Sequence, residues 1–237
     1  MNGILGKKLG MTQIFSEDGA AIPVTVIESG PCTVLQVKTI KTDGYNAIQL
    51  GFEDVKESKL KKPVRGKFKK INVTAKKFIK EVSAEDPQNY KVGQNIDLTI
   101  FSPGDYVRIT GTSKGRGFQG GIKRWNWSRG PESHGSMSHR APGSIGASAF
   151  PSRVHKGHHL PGHMGNQRVS EQNLEVVKVD KENNLLVVKG SVPGHNNSFL
   201  IIQRSQRKKS KAHKKQEQEK PEAKKETKEK KTQAGKK

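Results

Sequence analysis

The sequence predicts a mainly β fold, a barrel or sandwich of six to eight short strands with a long basic loop inserted between two of them. Short apolar runs bounded by Gly, Pro, Asn and Asp turns recur through residues 3–57, 95–110 and 174–202. No long amphipathic helix connects these runs. Residues 114–168 contain nine Lys and Arg, one acid and almost no apolar periodicity, so they cannot build a hydrophobic core of their own.

Two strand pairs are predicted near the N-terminus. Residues 12–15 and 22–27 flank a Ser-Glu-Asp-Gly turn, and residues 34–37 and 47–50 flank Asp43-Gly44. An Asp-Gly pair between two alternating runs is a strong hairpin signal. These strands are assigned to the barrel body.

Residues 58–93 interrupt this pattern and are predicted to be a small basic insert, irregular or α+β. Ten Lys and Arg and no acid lie between Lys59 and Lys80. Residues 75–90 are predicted as a short helix or an irregular segment.

Strands resume after the insert, at residues 95–101, 106–110, 174–179, 185–188 and 199–202. The strands on either side of the 114–168 window must approach each other to close a barrel, so we expect the window to project as a finger. The predicted division is a barrel body at 1–57, 94–113 and 169–204, a basic insert at 58–93, an extended loop at 114–168 and a tail at 205–237. The tail is rich in Lys and Glu with almost no large apolar residue, so we expect it to be disordered.

Charge and composition indicate the class of partner. The formal charge is +22 with a pI of about 10.1, and the positive charge is concentrated in the insert, the window and the tail. Three basic segments around a nearly neutral body predict nucleic acid. We expect no membrane partner, because no amphipathic basic helix and no apolar run of ~18 residues is found. A single Cys32 excludes a disulfide framework, and without signal-peptide features at the N-terminus we expect a cytoplasmic protein.

Two patterns in the window suggest enzymes at first sight. Residues 115–120 match G-x-G-x-x-G, but a dinucleotide site needs a helix and an acidic residue after the glycines, and we predict no helix there. The six histidines of the window have no Cys and only Glu132 near them, so no metal site is expected. Apart from Glu132, the window has no carboxylate that could orient a catalytic triad. We therefore expect no catalytic residues, no cofactor and no small-molecule substrate.

The basic, indole and imidazole side chains of the window suit RNA. Lysine and arginine neutralise phosphates, while aromatic and imidazole rings stack on bases or contact 2′-hydroxyl groups. Trp125 and Trp127 would face opposite ways on a strand. With two N-terminal lysines, the predicted RNA ligands are Lys7, Lys8, Lys114, Arg116, Lys123, Arg124, Trp125, Trp127, Arg129, His134, His139, Arg140, Arg153, His155, Lys156, His158, His159, His163 and Arg168.

Several blocks of the chain make it similar to the universal large-subunit ribosomal protein three family, in its bacterial form. The blocks are GILGKKLGMTQIF at 3–15, GTSKGRGFQGGIKRWNW at 111–127, SHGSMSHRAPGSIG at 133–146, HLPGHMGNQRVSEQNLEVVKVD at 159–180 and LLVVKGSVPG at 185–194. They occur in the expected order over most of residues 3–204, which is far more specific than a single glycine motif.

The resemblance implies a six-stranded barrel of the translation-protein type and a structural role in the large ribosomal subunit. It also implies direct binding of the large ribosomal RNA, a part in early subunit assembly, neighbouring large-subunit proteins as partners, and a loop that points toward the peptidyl transferase centre. The tip of that loop corresponds to Gly143, Ser144, Ile145, Gly146, Ala147, Ser148, Ala149, Phe150 and Pro151.

Some bacterial relatives carry an N-methylated Gln near the tip. Ala149 occupies that position here, and Ala147 stands where another Gln is common, so we expect no such modification. The alternative function is a free RNA chaperone or a nucleic-acid-compacting protein, and a nucleotide-dependent enzyme is a third class.

Overall fold

A computed structural model describes residues 2–205 and divides them into two compact units. The body comprises residues 2–112 and 169–205, and the second unit, Ser113–Arg168, is called the basic segment below. The predicted disordered tail, 205–237, lies outside the described residues except for Ser205.

The described residues are mainly β. Numbered in chain order, the strands and α-helices are β1 Gly3–Phe15, β2 Ala21–Ser29, β3 Cys32–Lys38, α1 Ile40–Asp43, β4 Ala47–Asp54, α2 Lys62–Ile71, β5 Lys76–Ser83, β6 Asn95–Ile96, β7 Tyr106–Thr112, β8 Gly117–Gln119, α3 Gly121–Trp125, β9 Gly162–Met164, β10 Arg168–Asp180, β11 Leu185–Lys189 and β12 Phe199–Arg204.

The predicted six-stranded barrel is confirmed. It closes in the order β1-β12-β7-β10-β11-β2. The 13-residue β1 is long enough to serve two neighbours, since its first half pairs with β12 and its second half with β2. Gly6 is required in this strand, because a Cβ there would lie 2.4 Å from the Ser29 hydroxyl on β2.

A second sheet has four strands in the order β5-β4-β3-β6. It contains the 34–50 hairpin, so the prediction that this hairpin belongs to the barrel was wrong. The hairpin forms as predicted, but its strands pair with β5 and β6. This sheet shares one apolar core with the barrel, and Phe78 of β5 stacks on Phe199 of β12 at 4.6 Å between ring centroids. Alternation predicts a strand but not its partner, and here the choice of partner depends on contacts distant in sequence.

The basic insert is α+β. Residues 62–71 form α2, but 76–83 form the strand β5 where a helix or irregular segment was predicted for 75–90. Pairing with β4, for example Phe78 opposite Phe52, outweighs local propensity. The predicted strand 95–101 is also shorter than expected, because only Asn95–Ile96 pair and a 3₁₀ turn follows at Leu98–Ile100.

The apolar core lies entirely in the body. Its main cluster includes Ile4, Ile27, Ile109 and Leu200, all fully buried, and a smaller cluster lies under α2. Neither cluster contains a residue of the basic segment. Among the helices of residues 2–205, none is long and apolar enough to cross a membrane.

Candidate nucleic-acid interface

The two ends of the basic segment are joined by backbone hydrogen bonds. The Ser113 N–H donates to the Gln167 carbonyl at 2.9 Å, and the Arg116 N–H donates to the Met164 carbonyl at 2.9 Å. Strands β8 and β9 continue this pairing. Gly165, with φ +77°, makes the close approach possible, because a Cβ there would lie 2.1 Å from the Lys114 carbonyl oxygen. The segment therefore starts and ends at one short paired region, residues 113–119 and 162–167, which we call its base.

The glycine motif belongs to this base and not to a nucleotide site. Residues 117–119 of the motif form β8, which pairs antiparallel with β9. The prediction that no helix follows was wrong, because α3 begins at Gly121, directly after the last glycine of the motif. This helix has only five residues and connects no parallel strands, so the βαβ unit of a dinucleotide site is not formed here.

Trp125 holds α3 against the returning chain. Its indole Nε1 donates to the Leu160 carbonyl at 2.9 Å, and the Arg124 guanidinium donates to the same oxygen at 2.6 Å. The His159 ring stacks on Trp125 with centroids 4.1 Å apart and planes 9° apart. The Arg124 guanidinium carbon lies 4.9 Å from the centre of the Trp125 ring, a cation–π contact. These three predicted RNA ligands therefore form one aromatic and cationic cluster.

Trp127 packs inside the segment. It is half-buried, and a Cβ at Gly121 would lie 2.0 Å from its ring. The two tryptophans do not lie on a strand, because Trp125 ends α3 and Asn126 turns the chain with φ +59°. A left-handed Asn ends a helix and lets the following residue fold back.

Most cationic groups of the segment face solvent. Arg129 pairs with Glu132 at 2.5 Å, the only acid in the segment. The cations that are exposed and have no ion pair or side-chain hydrogen bond among residues 2–205 are Lys114, Arg116, Lys123, Arg140, Arg153, Lys156 and Arg168.

The histidines are spread along the segment and do not converge. His139 contacts the Pro131 carbonyl through Nδ1 at 2.8 Å, and His159 stacks on Trp125. The other four are exposed: His134, His155, His158 and His163. Within residues 2–205 no group of three or more His, Cys, Asp or Glu could hold a metal ion.

The two N-terminal lysines differ from the rest of the predicted set. Lys8 is buried, and its ammonium donates to the carbonyls of Val192 at 2.8 Å and Gly194 at 3.3 Å. This corrects its assignment as an RNA ligand, since a buried ammonium that satisfies backbone carbonyls is held inside the barrel wall. Lys7 is half-buried and pairs with Glu53 at 3.4 Å.

Apolar side chains are exposed on the basic segment to an unusual degree. Residues 143–150 are all exposed, and Phe150 retains 88% of its accessible surface. Two further residues that the sequence did not single out are also exposed, Phe118 at 76% and Met137 at 97%. The sequence marks them as large apolar residues in a stretch without apolar periodicity. Such residues have no core in which they could be buried. Exposed aromatic faces beside cations can stack on bases.

The arrangement is suited to a polyanion. Exposed Lys and Arg at many points of one segment can neutralise successive phosphates, and glycine-rich backbone permits close approach. Fold and surface together define a β-barrel protein with a separate basic segment that contributes nothing to the apolar core.

Comparison with known proteins gives the family. The sequence model of Ribosomal protein L3 matches residues 68–184. The large ribosomal subunit protein uL3 of Carboxydothermus hydrogenoformans is 59% identical over 203 residues, which cover 86% of this chain and 97% of that protein. Its counterpart in Heliobacterium modesticaldum is 52% identical over 203 residues, 86% of this chain and 96% of that protein. The chain belongs to the ribosomal protein L3 family. Membership does not favour the alternative of a free RNA chaperone.

Proposed function

We propose that this chain is a structural, non-catalytic protein of the large ribosomal subunit that binds large-subunit ribosomal RNA through its basic segment. In this proposal the protein acts in the cytoplasm, within the ribosome, beside other large-subunit proteins. It stabilises or nucleates the assembly of the subunit. The names of its relatives place those proteins in the large subunit, which supports this assignment.

One observation carries the proposal. The basic segment contains nine Lys and Arg and one acid, and seven of these cations are exposed without a protein partner among residues 2–205. A protein in solution gains nothing from concentrating like charges on a segment with no core, since they repel each other. Phosphates supply the missing counter-charge.

The proposal assigns different tasks to different parts of the segment. The contacts of Arg124, Trp125 and His159 with each other and with Leu160 hold its shape. The exposed cations contact the RNA backbone. Residues 143–151, exposed except for the half-buried Pro151, form the tip that points toward the peptidyl transferase centre.

The test is the salt dependence of RNA binding by the full chain. Affinity for in vitro transcribed large-subunit ribosomal RNA is measured between 50 and 300 mM KCl. With about six phosphates neutralised, the log–log slope should be roughly −4 to −5. The triple variant Arg140→Gln/Arg153→Gln/Lys156→Gln should make that slope shallower by about 2 to 3.

A matched control removes the same charge from the body. Lys91, Lys181 and Lys189 are exposed there, and the triple change of these lysines to Gln should alter the slope much less. A flat salt response of the unaltered chain would refute the proposal. Failure of the chain to sediment with large subunits at high salt would favour a free nucleic-acid-binding factor instead.

A further inference from the structure

Helix α2 has two faces of opposite character. Phe68 is buried, and Val64 and Ile71 pack beside it in the small apolar cluster with Leu35 and Ala75. Lys62, Lys69 and Lys70 are exposed. At 100° per residue these three lysines and Gly66 fall on one outward face.

The outward lysines have no counter-charge in the described structure. Other lysines of the same region are engaged, since Lys76 pairs with Asp54 at 2.8 Å and Lys77 with Glu53 at 3.2 Å. Among residues 2–205, none of Lys62, Lys69 and Lys70 has an ion pair or a side-chain hydrogen bond. The face is therefore a concentrated positive surface.

Helix stability does not explain the charge at the start of α2. Lys61 is the N-cap and makes no side-chain capping bond, Lys62 is the first helical residue, and the first turn has no acid. Cations at the positive end of the helix dipole are electrostatically unfavourable. Only Lys69 and Lys70, in the last turn, suit the dipole.

The structure does not require glycine at position 66, in the centre of this face. A Cβ at this position would meet nothing within 4 Å, and its φ is not in the left-handed region. Glycine in a helix interior is destabilising relative to alanine. Glycine at such a position permits the close approach of a partner to the helix backbone.

From these observations we propose that the outward face of α2, formed by Lys62, Gly66, Lys69 and Lys70, is a second RNA-contact surface. This face binds the phosphate backbone of large-subunit ribosomal RNA. The inference rests on the proposed function. From Lys62 to Lys69 the helix rises about 10 Å, a distance over which a nucleic-acid duplex presents several phosphate charges.

The partner is RNA and not a membrane surface, because the apolar side of α2 is already buried against the body. An interfacial helix needs that apolar side to insert among lipids. The outward face offers only positive charge and exposed backbone, which is what a phosphate backbone requires.

The decisive variant is Lys62→Gln/Lys69→Gln/Lys70→Gln in the full chain, with the body variant of Lys91, Lys181 and Lys189 as the charge-matched control. The probe is in vitro transcribed large-subunit ribosomal RNA. The helix variant should show a log–log salt slope shallower by about 2 to 3, and the control should not. Circular dichroism verifies that both variants are folded.

Hydroxyl-radical footprinting separates the two proposals. The helix variant should lose RNA protections that the Arg140, Arg153 and Lys156 variant retains. If the helix variant and the control have the same slope and footprint while the unaltered chain binds steeply, the second surface is refuted and the proposed function stands. A flat response of the unaltered chain refutes both. Weaker binding to anionic vesicles with unchanged RNA binding also overturns the second surface.

Gly66→Ala provides an independent test. Alanine should raise the melting temperature by about 1 to 4 °C, because it stabilises an exposed helix. The same change should weaken RNA binding by roughly two-fold or more, because the added Cβ would stand between the RNA and the helix backbone. A more stable variant with unchanged affinity would show that RNA does not approach this backbone.

Discussion

The body and the basic segment keep their shapes by different means. In the body, fully buried residues such as Ile109 and Leu200 belong to one core shared by two sheets. In the basic segment the only buried residue is Gly121, and the shape depends on backbone pairing and on the contacts of Trp125. The body therefore uses apolar burial for stability, while the segment leaves its charged side chains available.

The two regions also differ in how they treat charge. In the body, Lys38 pairs with Glu81 at 2.8 Å and Lys76 with Asp54 at 2.8 Å. In the basic segment one pair, Arg129 with Glu132, uses the only acid present. Internal pairing supports the fold of the body, whereas the unpaired cations of the basic segment are the groups to which the proposed function assigns RNA contacts.

The largest expected effect is on the core of the body. Leu200→Ala should lower the free energy of unfolding by about 2 to 5 kcal/mol, because it leaves a cavity in a closely packed cluster. Urea denaturation followed by circular dichroism measures the change. Ile145→Ala in the basic segment, where Ile145 is 44% exposed, should change it by less than about 0.5 kcal/mol. Equal effects of the two changes would contradict the contrast between the regions.

A smaller effect is expected at the base of the segment. Gly165→Ala places a Cβ 2.1 Å from the Lys114 carbonyl at a φ of +77°, and the left-handed conformation alone costs about 1 to 2 kcal/mol. The base should open, and affinity for large-subunit ribosomal RNA should fall about 5- to 30-fold while urea unfolding of the body is unchanged.

Gly120→Ala is the control for this change, because a Cβ there meets nothing within 4 Å and φ is −70°. Its RNA affinity should match that of the unaltered chain. If Gly165→Ala binds RNA as tightly as this control, the base does not determine the shape of the binding surface.

The smallest expected effect is the loss of stability of the body at acidic pH. The hydrogen bond from Lys76 lowers the pKa of Asp54, and that from Lys38 lowers the pKa of Glu81. A carboxylate whose pKa is lowered in the folded state stabilises the fold at pH values above its ordinary pKa, which is 3.8 for Asp54 and 4.5 for Glu81. This contribution is lost as the pH falls through the lowered pKa.

Solvent reaches both carboxylates, with side-chain exposures of 69% for Asp54 and 34% for Glu81, so each pair should contribute less than about 1 kcal/mol. Urea midpoints measured between pH 6 and pH 3 should fall, and Asp54→Asn/Glu81→Gln should reduce the fall. An unchanged pH profile in that double variant would show that the pairs add nothing to the stability of the body.

Much of this fold could be predicted from local pattern. Alternation and turn residues located the strands around 22–27, 106–110, 185–188 and 199–202, each of which lies within a barrel strand. The failures came where pairing partners are distant. Residues 76–83 became a strand by pairing with β4, and the 34–50 hairpin joined the second sheet.

The sequence selects the candidate RNA ligands as a chemical class but does not distinguish them one by one. Charge and glycine content selected the basic segment, since a stretch without apolar periodicity cannot enter a core. They could not separate Lys8, which donates to carbonyls in the barrel wall, from Lys123, which is exposed. They also did not select Phe118, whose only signal is that a large apolar residue stands in a stretch without apolar periodicity.

The sequence by itself determined a β-barrel body and a basic segment, and it predicted a polyanionic partner, because alternation, turn chemistry and net charge are local or additive properties. The tertiary structure decided which strands pair, which lysines are buried, and how Arg124, Trp125 and His159 meet. Those outcomes depend on contacts between residues distant in sequence, which form only when the whole chain has folded.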